Sequence, residues 1–341
     1  MTNPETETAA SGAAPRKVRG LSLFSGGLDS LLAVCVLREQ GIEMEAITFN
    51  SPFFDIRPAI RGAKMIGVPH RIVDFTDDIF ELLDHNRYGF GSGMNPCIDC
   101  HSRMILRAAE IREREGFDFV STGEVMGQRP MSQNKNSLNA VSKTSGAREV
   151  LLRPLSALLL PPTPMEEDGR VDRSRLLGLE GRNRKPQMEL AAKYGITEYP
   201  SPAGGCKLTE PNFAKRLKEM KKHEGLEHRD LVALLKVGRH FRLPGGARAV
   251  VGRNRADNEA IRGLIGAEDT LLRSVDVPGP SVLLVDAASD DDLRLAAGLC
   301  ARYADGHRPE GVLIRFVRRG QKDVELRVKP LDPAVPAPWV I

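Results

Sequence analysis

The fold is set by Ser25-Gly-Gly-Leu-Asp-Ser30, a turn that follows an apolar strand predicted over Val18–Phe24 and opens a helix predicted from Ser30 to Gln40. Strands and helices continue to alternate downstream, with short turns between them. The further elements predicted in this part are strands at Met44–Phe49, His70–Phe75 and Phe117–Ser121 and helices at Ala59–Ile66 and Arg103–Gly116. This alternation predicts an α/β fold with a doubly wound, mostly parallel sheet. Ligands of such sheets bind beyond the carboxyl ends of the strands.

The turn has the residue types that hold phosphate. Gly26 and Gly27 let the backbone approach an anion closely and adopt positive φ, and the start of the following helix favours negative charge. Ser25 and Ser30 can donate hydroxyl hydrogen bonds to phosphate oxygens, whereas Asp29 is better suited to hold a metal ion or orient the loop. The alternative is an ordinary strand-to-helix turn with a serine cap. Two glycines flanked by two serines and an aspartate exceed what a cap requires, which favours a phosphate site.

Length and composition set broader limits. The chain has 341 residues, of which 41% are hydrophobic and 28% charged, as expected for a soluble protein of about two domains. No apolar run approaches the ~20 residues that span a bilayer. Residues 1–15, predicted to be a disordered tail, lack a secretory signal, so we expect a cytoplasmic protein with no membrane partner. The net charge is +4, and the positive excess lies from Cys206 onward, which alone is weak support for a nucleic-acid partner.

A change of pattern near residue 238 predicts a second, smaller α+β domain. The first domain is expected over residues 16–210, with a polar loop at Gly127–Ala147. The remaining predicted divisions are a helical linker at 211–238, the second domain at 239–330 and a Pro-rich tail at 331–341. The elements predicted after residue 210 are helices at Asn212–Lys222, His228–Val237, Asp257–Ile265 and Asp291–Ala304 and strands at Arg248–Val251, Val282–Val285, Val312–Val317 and Val324–Val328.

The cysteines divide into two groups. Two of the five lie in apolar runs, which predicts buried thiols; these are Cys35 and Cys300. Cys97, Cys100 and Cys206 lie among Gly, Pro and polar residues, and three kinds of chemistry are open to them. Two of them could relay sulfur through a persulfide, all three could hold a [4Fe–4S] cluster with one open iron site, or they could bind zinc with His101 as a fourth ligand. Buried, unreactive thiols are the remaining alternative.

The phosphate turn resembles the pyrophosphatase loop, SGG-x-DS, of the ATP pyrophosphatase superfamily. In that superfamily the loop holds ATP while a substrate oxygen attacks the α-phosphorus, releasing pyrophosphate and leaving an adenylate. Two further segments are similar to segments of tRNA thiouridine synthases. They are Asn95–Met104 and Ser121–Gln133, the second of which contains the TGE, GQ and SQ motifs. Arg153-Pro-Leu155 matches the RPL that follows there, and Ser201–Cys206 stands where 2-thiouridylases have their second catalytic cysteine. The resemblance covers about residues 16–210.

The resemblance implies an ATP-dependent tRNA-uridine sulfurtransferase. The uracil carbonyl oxygen is activated as an adenylate, Mg²⁺ neutralises charge on the leaving pyrophosphate, and sulfur then displaces AMP. In the cluster-dependent branch three cysteines, here Cys97, Cys100 and Cys206, hold [4Fe–4S], and its open iron delivers sulfide. In the cluster-free branch a persulfide on the second cysteine delivers the sulfur. The C-x-x-C plus one spacing resembles the cluster branch, so we expect a [4Fe–4S] cluster in addition to ATP and Mg²⁺.

The same resemblance extends to residues at the strand ends. Phe49 and Asn50 end the second strand, where members of the superfamily often hold the adenine base. Thr122 and Gly123 follow another strand and are expected to lie near the nucleotide together with the phosphate loop. Asp99, between two of the cysteines, could bind metal or act as a base; the alternative is a solvated loop carboxylate.

Val251–Asn258 and Val275–Ser281 resemble two segments of the RNA-binding domain of the NFACT family, although Asp276 stands where a histidine is usual and Pro280 interrupts the PGS sequence. This resemblance covers about residues 240–330 and implies an RNA grip, with tRNA as partner. The arginines expected to pair with phosphates are Arg239, Arg242, Arg253, Arg255, Arg318 and Arg319. Asn254 and Asn258 could touch RNA or cap the following helix. A basic segment that begins a helix predicted over Arg182–Tyr194 could contact phosphate or RNA, or be solvated.

The resemblance and the sequence also suggest partners and leave rival functions open. The sulfur donor is expected to be free sulfide or a cysteine desulfurase, and related enzymes suggest a homodimer, although the sequence has no dedicated dimer motif. The thiolated uridine, and whether position 2 or 4 is modified, stay open. One rival is a sulfur insertase for a small molecule or cofactor, and another is an RNA-binding protein that uses ATP or the cluster as a sensor. Retention of Asp29 and of all three cysteines argues against a decayed site.

Overall fold

The computed structural model describes residues 16–201, 205–286, 288–306 and 310–341, so the tail predicted at residues 1–15 lies outside the described residues. The chain divides into two compact units. The first unit runs to Gly89 and continues over Pro96–Gly205, and the second consists of Phe90–Asn95 and Cys206–Ile341. In the described part of the chain, no helix combines the length and the apolar character needed to cross a membrane.

The first unit is an α/β fold built on five parallel strands. Its strands are β1 (Arg19–Leu23), β2 (Glu43–Asn50), β3 (His70–Asp74), β4 (Phe119–Ser121) and β5 (Leu151–Leu152). Its helices are α1 (Leu28–Arg38), α2 (Arg57–Ile66), α3 (Thr76–Asp84), α4 (Cys97–Glu115), α5 (Lys135–Thr144), α6 (Pro164–Glu167) and α7 (Lys185–Lys193). The strand order is β3-β2-β1-β4-β5. The predicted fold class is confirmed by this arrangement.

The strand order reverses between β1 and β4, next to the predicted phosphate loop. In the register of the sheet Gly20 pairs with Phe119 and Ser22 with Ser121, so β1 and β4 end side by side. A Cβ on Gly20 would lie 2.6 Å from the ring of Phe119, so glycine is needed for this packing. Crevices at such reversal points, beyond the carboxyl ends of the strands, are where open α/β sheets bind ligands.

Two helices differ from the sequence-based prediction. Helix α4 begins at Cys97 rather than Arg103, with Pro96 at its N-cap position, so the C-x-x-C lies in the first helical turn. Helix α5 replaces about half of the predicted loop at Gly127–Ala147, and the prediction is therefore wrong over that part. Its start is capped by Asn134, whose side chain accepts the N–H of Ser137 at 2.8 Å. A narrow apolar stripe, Leu138 and Val141, is buried beneath an otherwise polar helix. Helix α3 and strand β5 had no predicted counterpart.

The second unit carries a separate antiparallel sheet of six strands. Its strands are β6 (Arg239–Arg242), β7 (Arg248–Val251), β8 (Thr270–Ser274), β9 (Ser281–Leu284), β10 (Val312–Arg318) and β11 (Val324–Val328), in the order β11-β10-β8-β9-β7-β6. Its helices are α8 (Pro211–His223), α9 (Leu231–Leu234), α10 (Arg255–Gly263) and α11 (Asp290–Arg302). Strands β6 and β8 had not been predicted, and α9 is shorter than the predicted helix at His228–Val237.

The core of the second unit lies between α11 and one face of this sheet. Val282, Ile314 and Leu299 are fully enclosed there. The Pro-rich C-terminal segment packs on the same unit, because Ile341 donates its N–H to the carbonyl of His240 at 3.0 Å. The segment therefore has fixed contacts within this unit.

Candidate nucleotide site and cysteine segment

The loop between β1 and α1 presents its backbone at the carboxyl edge of the sheet. Gly26 has φ +73°, and a Cβ there would lie 2.2 Å from the backbone carbon of Pro58, so only glycine fits. Gly27 is the N-cap residue of α1 and supplies no side-chain cap, which leaves the helix start suited to an anion. Ser30 Oγ donates to the Gly27 carbonyl at 2.8 Å, and Ser25 Oγ accepts the Gly27 N–H at 3.3 Å. All the predicted phosphate-loop residues thus lie on one turn.

Asp29 lies in the first turn of α1, and one of its carboxylate oxygens is already held. Gln128 Nε2 donates to Asp29 Oδ2 at 2.6 Å. The other oxygen, Oδ1, is buried and has no hydrogen-bond partner among the described residues. Burial raises the pKa of Asp29, against the hydrogen bond from Gln128 and the charges of Arg184 and Arg129. A buried carboxylate oxygen with an open position suits a hard divalent cation, so these residues fit Mg²⁺.

The turn after β4 packs directly on the phosphate loop. A Cβ on Gly123 would lie 2.6 Å from both the backbone carbon of Asp29 and the backbone nitrogen of Ser30. Thr122 is buried, and its hydroxyl donates to Glu124 Oε2 at 3.1 Å. The structure therefore brings Thr122 and Gly123 to the loop, and their contact with a nucleotide stays a prediction. Gly123 contributes its lack of a side chain, and the Thr122 hydroxyl serves an internal hydrogen bond.

Glu124 lies at the centre of a buried ion pair that sequence reasoning did not place in the site. Its Oε2 accepts from Arg153 Nε at 2.8 Å, and the two side chains are 6% and 7% exposed. Its Oε1 lies 3.0 Å from Nδ1 of His101. Burial acts to raise the pKa of Glu124, but the Arg153 charge and the His101 hydrogen bond outweigh burial and hold that pKa well below its usual range. The sequence did contain an indication of this pair, because Glu124 is the charged residue of the TGE segment and Arg153 that of the RPL segment.

Phe49 and Asn50 lie at the end of β2, the strand that neighbours β1. The Phe49 ring is buried and lies 5.3 Å from the Phe75 ring, between centroids. The Asn50 carbonyl accepts the Phe75 N–H at 2.8 Å. Both residues are thus at the same sheet edge as the phosphate loop, with the Phe49 side chain packed in an aromatic cluster. Their contact with adenine stays a prediction.

Cys97 and Cys100 both lie in the first turn of α4, where Cys97 is half-buried and Cys100 buried. Their i, i+3 spacing places them on one side of the helix. Asp99 is 6% exposed, and its Oδ2 accepts the N–H of Tyr88 at 3.0 Å. The alternative of a solvated loop carboxylate is therefore wrong for Asp99. This residue anchors the segment that precedes the cysteines, and a carboxylate in a first turn also complements the helix dipole.

Cys206 begins the main segment of the second unit and is half-buried. Its carbonyl accepts the Thr209 hydroxyl at 2.8 Å. In the same unit, Met94 donates its N–H to the carbonyl of Leu208 at 3.0 Å, so the two separate segments of the second unit, Phe90–Asn95 and the one that begins at Cys206, are joined by a backbone hydrogen bond. Three thiolates are the donor type of an iron–sulfur cluster. Over the described residues, however, no three His, Cys, Asp or Glu side chains are gathered as a group that could hold a metal ion.

The arginines predicted to bind RNA differ in how far they are exposed and in whether they pair within the second unit. Arg242 is an internal residue, which donates to Glu219 at 2.5 Å and to Glu224 at 2.6 Å. Arg253 donates to Asp257 at 2.6 Å. The predicted arginines exposed to solvent are Arg239, Arg253, Arg255 and Arg319.

Asn254 and Asn258 have structural contacts at the two ends of one turn of α10. Asn254 caps the helix, because its side chain accepts the N–H of Asp257 at 2.9 Å. Asn258 Oδ1 accepts the N–H of Ser281 at 2.9 Å and ties α10 to the start of β9. The two asparagines of the VGRN-containing segment thus fix the local fold.

Two family models match this chain. The family described as thiamine biosynthesis protein (ThiI) matches residues 16–158, and the family described as NFACT protein RNA binding domain matches residues 238–340. The tRNA-specific 2-thiouridylase MnmA of Methylobacterium nodulans is 27% identical over 143 residues. The MnmA protein of Roseiflexus castenholzii is 23% identical over 343 residues, which cover 91% of this chain and 88% of that relative.

The extent of these similarities differs. The match to the Methylobacterium nodulans protein covers 37% of each chain, so the chain spans little more than a third of that relative's length. The crystal structure of a 4-thiouridine synthetase–RNA complex with bound ATP has a TM-score of 0.36 and 19% identity, and covers 64% of this chain and 52% of that one. The chain therefore combines a segment that matches the ThiI family, at residues 16–158, with a segment that matches the NFACT RNA-binding domain, at residues 238–340.

Proposed function

We propose that this protein is an ATP-dependent tRNA-uridine sulfurtransferase. The observation that carries the proposal is the phosphate loop after β1, with Gly26 at positive φ, Gly123 packed against the loop and the open Asp29 oxygen beside it. The relatives named tRNA-specific 2-thiouridylase support tRNA as the substrate. The NFACT-type domain supports an RNA grip in the second unit.

In the first half-reaction, ATP binds with its phosphates on the loop. The uracil carbonyl oxygen attacks the α-phosphorus, the bond from that phosphorus to the bridging oxygen of the β-phosphate breaks, and pyrophosphate leaves. The amides and dipole at the start of α1 stabilise the negative charge that develops. Asp29 would hold Mg²⁺, which would supply further neutralisation of the leaving group when bound. Thr122, Phe49 and Asn50 are proposed to border the nucleoside at the same sheet edge.

In the second half-reaction, a sulfur nucleophile attacks the activated uracil carbon, and the carbon–oxygen bond to AMP breaks. We assign the handling of this sulfur to Cys97, Cys100 and Cys206. The sequence spacing favours a [4Fe–4S] cluster on the three thiolates, although the described side chains do not form a metal-binding group, and a persulfide on Cys206 is the alternative carrier. Free sulfide is the proposed source for the cluster. The persulfide requires a cysteine desulfurase, which transfers sulfur from its own persulfide to the Cys206 thiolate; after attack on the uracil carbon, a second cysteine thiolate breaks the sulfur–sulfur bond, and an external thiol reduces the resulting disulfide. The proposed role of Asp99 is to hold the cysteine turn through its bond to Tyr88.

The two half-reactions can be separated in one experiment. The full chain, purified without oxygen, is mixed with ATP labelled at its α- and γ-phosphates, Mg²⁺, sulfide and unmodified tRNA, and pyrophosphate, AMP and thiouridine are measured in a single turnover. We expect pyrophosphate and AMP only when tRNA is present, and thiouridine in the same tRNA. Asp29→Asn should lose all three products, whereas Cys206→Ala should keep pyrophosphate, which reports adenylation, and lose AMP release and thiouridine. Cys35→Ala, in the apolar part of α1, is the matched cysteine control and should keep all three.

Two results would overturn the proposal. One is AMP formation that proceeds equally without tRNA, which would point to a small-molecule substrate. The other is full thiolation by Cys206→Ala. Metal analysis then identifies the carrier: about four irons and four sulfides per chain, lost in Cys97→Ala and kept in Cys35→Ala, would establish the cluster. Absence of iron under strict anaerobiosis, with thiolation that requires a cysteine desulfurase in place of free sulfide, would support the persulfide route.

A further inference from the structure

A relay of side chains joins the phosphate loop to helix α7, which lies more than 150 residues further along the chain. Gln187 Nε2 donates to Gln128 Oε1 at 3.0 Å, and Gln128 Nε2 donates to Asp29 Oδ2 at 2.6 Å. Gln187 is 1% exposed. Because both amide orientations are fixed by this chain of donors and acceptors, Asp29 is held with Oδ1 turned away from the relay.

Three buried polar atoms around this relay have no hydrogen-bond partner among the described residues. They are Asp29 Oδ1, Gln187 Oε1 and Arg184 Nε. Buried polar groups in proteins are nearly always paired, so three open positions on one relay point to a ligand. The first two atoms are acceptors, which require a cation or a donor, and the third is a donor, which requires an anion.

The positive charges near the relay indicate what kind of anion would bind there. Arg184 is the N-cap residue of α7, a nine-residue helix whose first turn includes Pro186. The positive end of the helix dipole and the guanidinium therefore lie together. Arg184 and Arg129 both act electrostatically on the Asp29 carboxyl, which places two cations within range of the same group. An anion with more than one charge suits this surrounding, and a cation must accompany it to satisfy Asp29.

We propose that Gln128, Arg184 and Gln187 form a second wall of the phosphate site, which binds the diphosphate end of ATP and the leaving pyrophosphate as its magnesium complex. Arg184 Nε donates to a phosphate oxygen. Asp29 Oδ1 is the ligand for Mg²⁺, and Gln187 Oε1 accepts a hydrogen bond from a hydration water of the ion. Gln128 is a positioning residue that aims the carboxylate. This wall deepens the proposed function and rests on it, because ATP is the nucleotide in both.

The test is equilibrium binding of magnesium pyrophosphate to the full chain, measured by calorimetry at several Mg²⁺ concentrations. Arg184→Gln should weaken binding about 10- to 100-fold, since it removes a charge-assisted hydrogen bond. Affinity for AMP, which lacks the diphosphate, should change less than about twofold. Arg182→Gln is the matched control: it removes an exposed positive charge two residues away and should leave pyrophosphate binding near the wild-type value.

Gln187→Leu tests the positioning of the Asp29 carboxylate by itself, because this substitution leaves the charge of the site unchanged. It should raise the Mg²⁺ concentration needed for half-maximal pyrophosphate binding, while circular dichroism and the unfolding midpoint report whether α7 remains folded. Equal losses in Arg184→Gln and Arg182→Gln would overturn the proposal in favour of a diffuse electrostatic effect. Wild-type pyrophosphate binding in Arg184→Gln would also overturn it, even if tRNA thiolation proceeds. Arg184-dependent binding without any tRNA thiolation would support the wall and refute the proposed function.

Discussion

The substitution Gly123→Ala tests whether the end of β4 sets the shape of the phosphate loop. Gly123 does not adopt a positive φ, so alanine introduces no backbone strain of its own. The new methyl group would lie 2.6 Å from the Asp29 carbonyl carbon and the Ser30 nitrogen and 2.7 Å from the Asp29 carbonyl oxygen. All three contacts are with backbone, which cannot rotate away as a flexible side chain does.

The size of the effect follows from these distances. Ordinary van der Waals contact of a Cβ begins at 3.4 Å, so the two backbones must separate by roughly 0.8 Å, the difference between 3.4 and 2.6 Å. Overpacking of this kind destabilises a protein by about 1–3 kcal/mol. A misplacement of ~1 Å at a reacting centre lowers the rate about 100-fold. We therefore expect a folded protein with AMP formation reduced on the order of 100-fold.

The assay compares two alanine variants in the same unit. AMP formation is measured in a single turnover with saturating ATP, Mg²⁺, tRNA and sulfide, and the affinity for a non-hydrolysable ATP analogue is measured by calorimetry. Gly178→Ala is the control, because its Cβ would meet Leu158 at an ordinary 3.4 Å. The control should retain wild-type values for rate and affinity.

The reasoning would be refuted by a Gly123→Ala protein that forms AMP at the wild-type rate. It would then follow that the loop either moves freely or lies away from the reacting phosphates. If circular dichroism shows that Gly123→Ala does not fold by itself, the variant is measured again with the nucleotide analogue bound, since a bound ligand stabilises the folded state.

Three other perturbations have defined outcomes. Glu124→Gln leaves the buried Arg153 guanidinium without its counter-charge and should lower the free energy of unfolding by about 3–5 kcal/mol in urea titrations; an unchanged midpoint would contradict the buried pair. The pKa of His240 is lowered to about 3 by burial and by neighbouring arginines, whereas an unfolded histidine titrates near 6.5. The unfolded chain therefore binds the extra proton, and stability should fall below about pH 6.5, by up to ~1.4 kcal/mol per pH unit, with a flatter profile in His240→Gln. Arg319→Gln should reduce the salt dependence of tRNA binding by about one ion, whereas Arg242→Gln, which breaks an internal ion pair, should mainly lower stability.

The phosphate loop and its flanking elements could be predicted because their signals are local. Two adjacent glycines between an apolar strand and a helix admit few conformations, and Gly26 has the positive φ that such a turn requires. The alternation of elements also sufficed for the parallel sheet. What composition and spacing did not reveal was the exact start of α4. Pro96 before the cysteines and Asp99 in the first turn are ordinary helix-start signals, but the C-x-x-C was interpreted as a loop.

Helix α5 was missed for a different physical reason. Its sequence is mostly polar, and of its four buried positions only two, Leu138 and Val141, carry large apolar side chains. The helix is stabilised by contacts that come from elsewhere in the chain, because Arg153 donates to the Ser142 hydroxyl at 2.9 Å and to the Leu138 carbonyl at 3.3 Å. A helix held by a buried arginine that follows the next strand has no strong periodic signal of its own.

The pairings within the candidate site are also non-local. Gln128 and Gln187 are 59 residues apart, and Gln128 and Asp29 are 99 residues apart. The sequence pattern singled out Gln128 only as part of a family resemblance, and it offered no reason to pair this residue with α7. That pairing depends on the packing of α7 against the core around α1, to which Leu190 and Tyr194 contribute. Tertiary packing of this kind cannot be derived from local propensity.

The buried pair of Glu124 and Arg153 links the nucleotide edge to the cysteine helix. Glu124 follows Thr122 and Gly123 at the end of β4, and its second oxygen lies 3.0 Å from His101, the residue directly after Cys100. Since separating the pair would leave a charge buried and unpaired, the end of β4 cannot shift away from Arg153 without a large loss of stability, and His101 ties the first turns of α4 to the same carboxylate. This cluster therefore connects the turn that packs on the phosphate loop to the part of α4 that carries Cys100. Any movement that accompanies the reaction is expected outside this cluster.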